Sequence, residues 1–118
     1  MVRELQTRCG AGAKAKGWHE HYNQLDPNSP EARDHIITKL ALITCEVSEA
    51  IEEIRKGDGL GVYYTGPDLK PEGFPTELAD IVIRTLDLAE LIGIDLSVVI
   101  DEKLEYNQTR DYLHGKVV

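Results

Sequence analysis

"SPEARDHIITKLALITCEVSEAIEEIRKG", Ser29–Gly57, is the stretch whose reading decides the fold. Ser29 offers an N-cap oxygen and Pro30 suits the first helical position. Gly57 stands just past the far end, where a left-handed residue closes a helix. One long helix therefore runs from Pro30 to Lys56. Ile36, Leu40, Ile43, Val47, Ile51 and Ile54 recur at helical spacing and predict its core stripe. Ile37, Ala41, Leu42 and Cys45 fill most of the remaining circumference of its first half. A helix apolar all round is buried all round, and a chain this short can hardly surround it. The expectation is a subunit interface. Beside Leu42, on the face opposite the core stripe, come Glu46, Glu49 and Glu53.

Outward from this helix the punctuation is equally local. Arg3 to Lys16 predicts a first helix, weakened by Gly10 and Gly12 and stopped at Gly17. "GWHEHYNQLDPNSP" reads as a loop. "GDGLGVYYTGPDLKPEGFP" reads as a long Gly- and Pro-rich connection of the kind that is often functional, with one short extended piece at "GVYY". Pro75 and Thr76 open a third helix that ends near Gly93, and Asp95 caps a fourth that runs to about Arg110. Nothing else alternates like a strand. The class is all-α, a four-helix bundle in outline, in a single domain over residues 1–118.

Composition sets the bounds. The chain has 118 residues, 42% of them hydrophobic, enough for one domain with a modest core. A net charge of −8 argues against nucleic acid or an anionic membrane as partner. It leaves open a small anion held through a metal. Cys9 and Cys45 form no disulfide framework, so a reducing compartment is expected. "MVRELQTRCG" has no apolar run for a signal peptide, and no segment is long enough to span a bilayer. The expected location is the cytoplasm.

The third helix, "TELADIVIRTLDLAELIG", raises a chemical question. Ile81, Leu88, Ile92, Thr85 and Leu78 form its apolar face, and Glu77 projects roughly 40° from Ile81, inside that face. A bare carboxylate turned to a core costs several kcal/mol. Asp80 and Arg84 lie along the same edge. The long helix presents "EVSEAI" and the third "ELADIV", each with carboxylates at i and i+3 on one face. Four carboxylates from two helices suit a hard divalent cation, magnesium or manganese rather than zinc. The plainer explanation is a solvated acidic face for Glu46 and Glu49, and a helix-dipole role for Glu77 in the first turn. Its place on the apolar stripe favours a ligand.

The fourth helix begins with an apolar stripe at Leu96, Val99 and Ile100 and continues the line with Lys103, Asn107 and Arg110. Cationic and amide donors in such a row suit phosphate oxygens. Individually, each would suit a helix end or a solvated surface equally well.

At these residues the chain resembles the MazG-like all-α nucleoside triphosphate pyrophosphohydrolases. The similarity runs from about Gly17 through "KLALITCEVSEAIEEI", "GFPTELADIVIRTLDLA" and "EKLEYNQTRDYLHGK". The family pattern is E-x-x-E on one helix and E-x-x-D on the next, followed by a K-x-x-x-N-x-x-R-like helix. The resemblance implies magnesium ligands at Glu46, Glu49, Glu77 and Asp80, and phosphate contacts at Lys103, Asn107 and Arg110. It implies cleavage of a nucleoside triphosphate between its α and β phosphates. Glu49 or Glu46 would be the general base, with Glu53 supporting the ligands from behind. Cys45 stands where MazG itself has the first acid of E-E-x-x-E, which leaves the identity of the base open. Trp18 is a candidate to stack on the nucleobase. A homodimer or homotetramer is expected, with no nucleic acid and no membrane as partner.

Two other readings compete with this one. A di-iron carboxylate bundle needs E-x-x-H pairs, which neither acid motif supplies. A non-enzymatic acidic helical adaptor needs no carboxylate on an oily face. His19 and His21 form H-x-H with no third ligand nearby, and are expected on a loop surface.

Overall fold

The computed structural model describes residues 1–57 and 59–115. Its elements are α1 (Val2–Ala15), α2 (Glu20–Asn23), α3 (Pro30–Arg55), β1 (Tyr63–Thr65), β2 (Lys70–Glu72), α4 (Phe74–Ile92), α5 (Leu96–Gln108) and a 3-10 turn, Tyr112–Gly115. The fold is all-α with one small hairpin. Helix ends fall where the caps predict. Ser29 Oγ accepts from Ala32 N at 3.2 Å, and the Asp95 side chain accepts from Ser97 N at 3.2 Å. One local expectation is corrected: the segment after Gly17 carries the short helix α2 rather than only loop. The extended piece expected at "GVYY" is present as β1, paired antiparallel with β2, Tyr63 opposite Glu72 and Thr65 opposite Lys70.

Helix α4 is the centre of the chain: α3 and α1 both pack against it, and α5 returns onto α1. The α1–α4 contact is close because Gly10 lies where a Cβ would stand 2.4 Å from Glu90 Cγ. Fully buried Gln6 then ties three elements together. Its Nε2 donates to Glu90 Oε1 (3.1 Å) and to the Ile94 carbonyl (2.7 Å), while its Oε1 accepts from Leu96 N (3.1 Å). An amide satisfied on both sides is stable in a core, where an unsatisfied one costs about 1–3 kcal/mol.

The face that α3 turns inward differs from the predicted stripe. Ala32, Glu46, Ala50 and Glu53 are its buried residues. Leu40, Val47, Ile51 and Ile54 are exposed, Ile51 at 54%. The inward line is rotated by roughly 80° from the stripe. The reason is physical: α3 is apolar over most of its circumference, so hydrophobicity does not choose a face. The line taken buries the small side chains of Ala32 and Ala50. Ile37 and Leu42 are exposed as well. A groove of about 350 Å³ lined by Val47, Ile51, Ile54, Phe74, Leu78 and Ile81 lies open between α3 and α4. The radius of gyration is 17.2 Å, against about 13.5 Å for a compact chain of this length. No helix among the described residues is long and apolar enough to cross a membrane.

Candidate functional site

The hairpin fixes where α4 begins, and thereby where Glu77 points. Gly73, the residue before α4, has φ 110°, and a Cβ there would meet the Gly61 carbonyl oxygen at 2.5 Å. Tyr63 OH donates to both oxygens of buried Glu53, at 3.1 and 3.0 Å, and Lys56 Nζ donates to Oε1 at 3.3 Å. Glu53 thus anchors the hairpin on the end of α3. Its hydrogen bonds push the Tyr63 hydroxyl above its ordinary pKa, burial adding to the effect.

One helical turn before α4 meets the α3 acids, Glu77 N donates to the Gly73 carbonyl and starts the helix. Its side chain then reaches Glu46 and Glu49 of α3. Glu46, Glu77 and Asp80 form the tight group, each offering a carboxylate oxygen within 4.8 Å of the others. Glu49 touches Glu77 from the exposed edge of α3. Glu46 is buried, and its Oε1 accepts from Arg84 Nε at 2.9 Å. Glu77 Oε2 is buried and makes no hydrogen bond.

The electrostatics divide these acids. Burial pushes the Glu46 carboxyl up, but it accepts from the Arg84 guanidinium and stays the charged partner beside the carboxyls of Glu49 and Glu77, which together hold it below its ordinary value. Glu77 goes the other way, pushed up to about 7 by burial and by the carboxylates of Glu49 and Glu46. Asp80 is raised by burial and by Glu46, with Arg84 and Lys70 opposing. Clustered carboxylates behave in this way when no cation shares them. Oxygen-only donors, three of them converging and one oxygen orphaned in the interior, fit a hard divalent ion such as magnesium or manganese.

Beside this group a cleft of about 900 Å³ opens between α1 and α3, with α4 as its floor. Asp80, Arg84 and Asp87 line the floor, Lys39, Leu42 and Glu46 the α3 wall, and Arg8, Cys9 and Lys16 the α1 side. Trp18 stands at the same cleft, 65% exposed, with Lys39 Nζ 6.0 Å from its ring centroid. None of the lining residues comes from α5. Lys103 on that helix and Arg110 two residues past its end are exposed, Lys103 Nζ lying 5.0 Å from the Tyr106 ring, and Asn107 Oδ1 is buried without a hydrogen bond. A single chain therefore brings together Glu46, Glu49, Glu77, Asp80 and Trp18, while Lys103, Asn107 and Arg110 line no part of the cleft.

His19 corrects the surface expectation. It is buried, and its Nε2 hydrogen-bonds Asp87 Oδ1 at 2.6 Å. The signal available in the sequence was Asp87 itself, seven residues after Asp80 and so on the same face of α4. Arg84, read only as an edge residue, turns out to be the counter-ion of Glu46. No family model, curated protein or solved structure matches the chain.

Proposed function

We propose that the chain is a magnesium-dependent nucleoside triphosphate pyrophosphohydrolase of the MazG-like type, releasing a nucleoside monophosphate and pyrophosphate. The observation that carries this reading is the convergence of Glu46, Glu77 and Asp80, with the buried Oε2 of Glu77 left unpartnered beside a cleft that also holds Trp18. A structural acid would be paired or solvated, because an unmet carboxylate oxygen in the interior is costly. Glu46, Glu77 and Asp80 would hold the ion, with Glu49 joining from the edge. Bound there, magnesium would neutralise charge on the triphosphate as pyrophosphate departs.

The chain's own groups carry the rest. Water attacks the α-phosphorus, the bond from that phosphorus to the bridging oxygen breaks, and the oxygen leaves with pyrophosphate. Glu46 is held by Arg84, so Glu49 is the better placed carboxylate to take the proton from water. Trp18 offers a flat apolar surface to a nucleobase. Lys103, Asn107 and Arg110 can serve phosphates only if a second copy presents its α5 to the cleft. The open α3–α4 groove and the exposed Ile37 and Leu42 support a homo-oligomer whose helices close the bundle.

Incubating the protein with a panel of nucleoside triphosphates and magnesium, then separating the phosphates by chromatography, tests the assignment. Monophosphate with pyrophosphate is the expected pair. Diphosphate with orthophosphate, or no turnover of any triphosphate, removes it.

A further inference from the structure

The cleft has a charge pattern that the acid cluster does not account for. Of its three carboxylates, Glu46 and Asp87 have partners, Arg84 and His19, and Asp80 belongs to the acid cluster. Three cations on its walls, Arg8, Lys16 and Lys39, have no carboxylate ion pair among the described residues. This occurs in a chain with 21 acids against 13 Lys and Arg, where a carboxylate is the commonest neighbour to find. Arg8 stands on α1, Lys16 just past its end and Lys39 on α3, so they face the cleft from opposite walls. Lys39 also sits against exposed Trp18. Together they offer positive charge and an aromatic face to an anion that carries a flat ring.

We propose that Arg8, Lys16 and Lys39 are the phosphate-binding residues of the cleft, contributed by the same chain as the acid cluster. The inference rests on the pyrophosphohydrolase reading for the identity of the ligand, a nucleotide with its polyphosphate tail. It differs from that reading in where the phosphate donors come from: α1 and α3, not α5. Arg8 supplies a planar fork suited to two phosphate oxygens, whereas the two lysines act as compact charges. A cleft of about 900 Å³ is at the upper end of the range for small-ligand pockets, which is room for a nucleotide with its metal.

Trp18 is the one tryptophan of the chain, so its fluorescence reports directly on the cleft. The test is a fluorescence titration of the full-length protein with inorganic tripolyphosphate in the presence of magnesium. Lys39→Gln and Arg8→Ala should each weaken binding by about tenfold or more, the scale of one lost charge-assisted hydrogen bond. Lys14→Ala, on α1 but outside the cleft lining, should bind as the wild type does, and circular dichroism should show all variants folded. Wild-type affinity in both Lys39→Gln and Arg8→Ala overturns the inference, as does Lys103→Ala losing affinity while those two keep it. Nucleotide turnover separates the two claims. Lys39-dependent binding without turnover removes the hydrolase reading and leaves the phosphate site standing; turnover with Lys39-independent binding does the reverse.

Discussion

Arg84 Nε lies 2.9 Å from Glu46 Oε1, so the guanidinium on α4 supplies the positive charge that the acid cluster would otherwise draw from a cation. Arg84 is itself half-exposed, and one guanidinium reaches one acid of the group. The orphaned oxygen of Glu77 stays unmet.

Removing that guanidinium should therefore shift the balance toward metal. Arg84→Gln leaves Glu46 buried without its counter-ion, and the metal-free protein should lose about 1–2 kcal/mol, the lower part of the range for an unpaired buried group because Arg84 is partly solvated. Its stabilisation by magnesium should exceed that of the wild type. Calorimetric melting with and without the ion measures both.

The raised Glu77 carboxyl predicts a pH dependence. Its folded value of about 7 lies above the ordinary 4.5, so between these values the folded protein keeps a proton that the unfolded chain has released. This contribution to stability is present in full below pH 4.5 and is lost as the pH rises to 7. Denaturant unfolding of metal-free protein across that window should show the decline, by about 1–3 kcal/mol from this group. Glu77→Gln should flatten it.

The exposed apolar faces predict assembly. Ile51→Glu, in the open α3–α4 groove, and Leu42→Glu, on the other side of α3, each set a charge where a second copy would pack. Light scattering should give at least a dimer for the wild type and smaller or unfolded species for the variants. A well-folded wild-type monomer at micromolar concentration would contradict the assembly.

If a second copy presents α5 to the cleft, Lys103→Ala and Arg110→Ala should each weaken substrate use by roughly 1.5–3 kcal/mol. Magnesium binding without nucleotide should hardly change. Steady-state kinetics beside a magnesium titration distinguishes this from two cations that only decorate a helix end.

Much of this architecture was legible because it is local. Ser29, Gly57, Gly93 and Asp95 set helix ends through bonds spanning three or four residues, and the chain has little freedom to do otherwise. Glu77 was legible for a related reason, since helical periodicity alone turns it toward the interior. The inward face of α3 was not, because Ile36, Leu40, Ile37 and Leu42 spread apolar surface over most of the helix and leave the choice to packing. His19 was misjudged because its partner, Asp87, lies on a helix 68 residues away. Arg8 and Lys16 carry no signal of their own in the sequence; they share a cleft with Glu46 because α1 packs closely on α4, where Gly10 permits the approach.

The central claim is that Glu77 faces inward to share a divalent cation with Glu46 and Asp80. The most direct measurement is the change in melting temperature that magnesium causes in the wild type and in Glu77→Gln, which keeps size and removes charge. The account predicts a clear rise in the wild type, by linkage to binding, and little or none in the variant. The metal-free variant should melt no lower than the wild type, because a repelled and partly desolvated carboxylate has gone. A wild type indifferent to magnesium, or a variant that melts lower by about 0.3–1 kcal/mol with its magnesium response intact, would make Glu77 a first-turn acid serving the helix dipole and contradict the metal site.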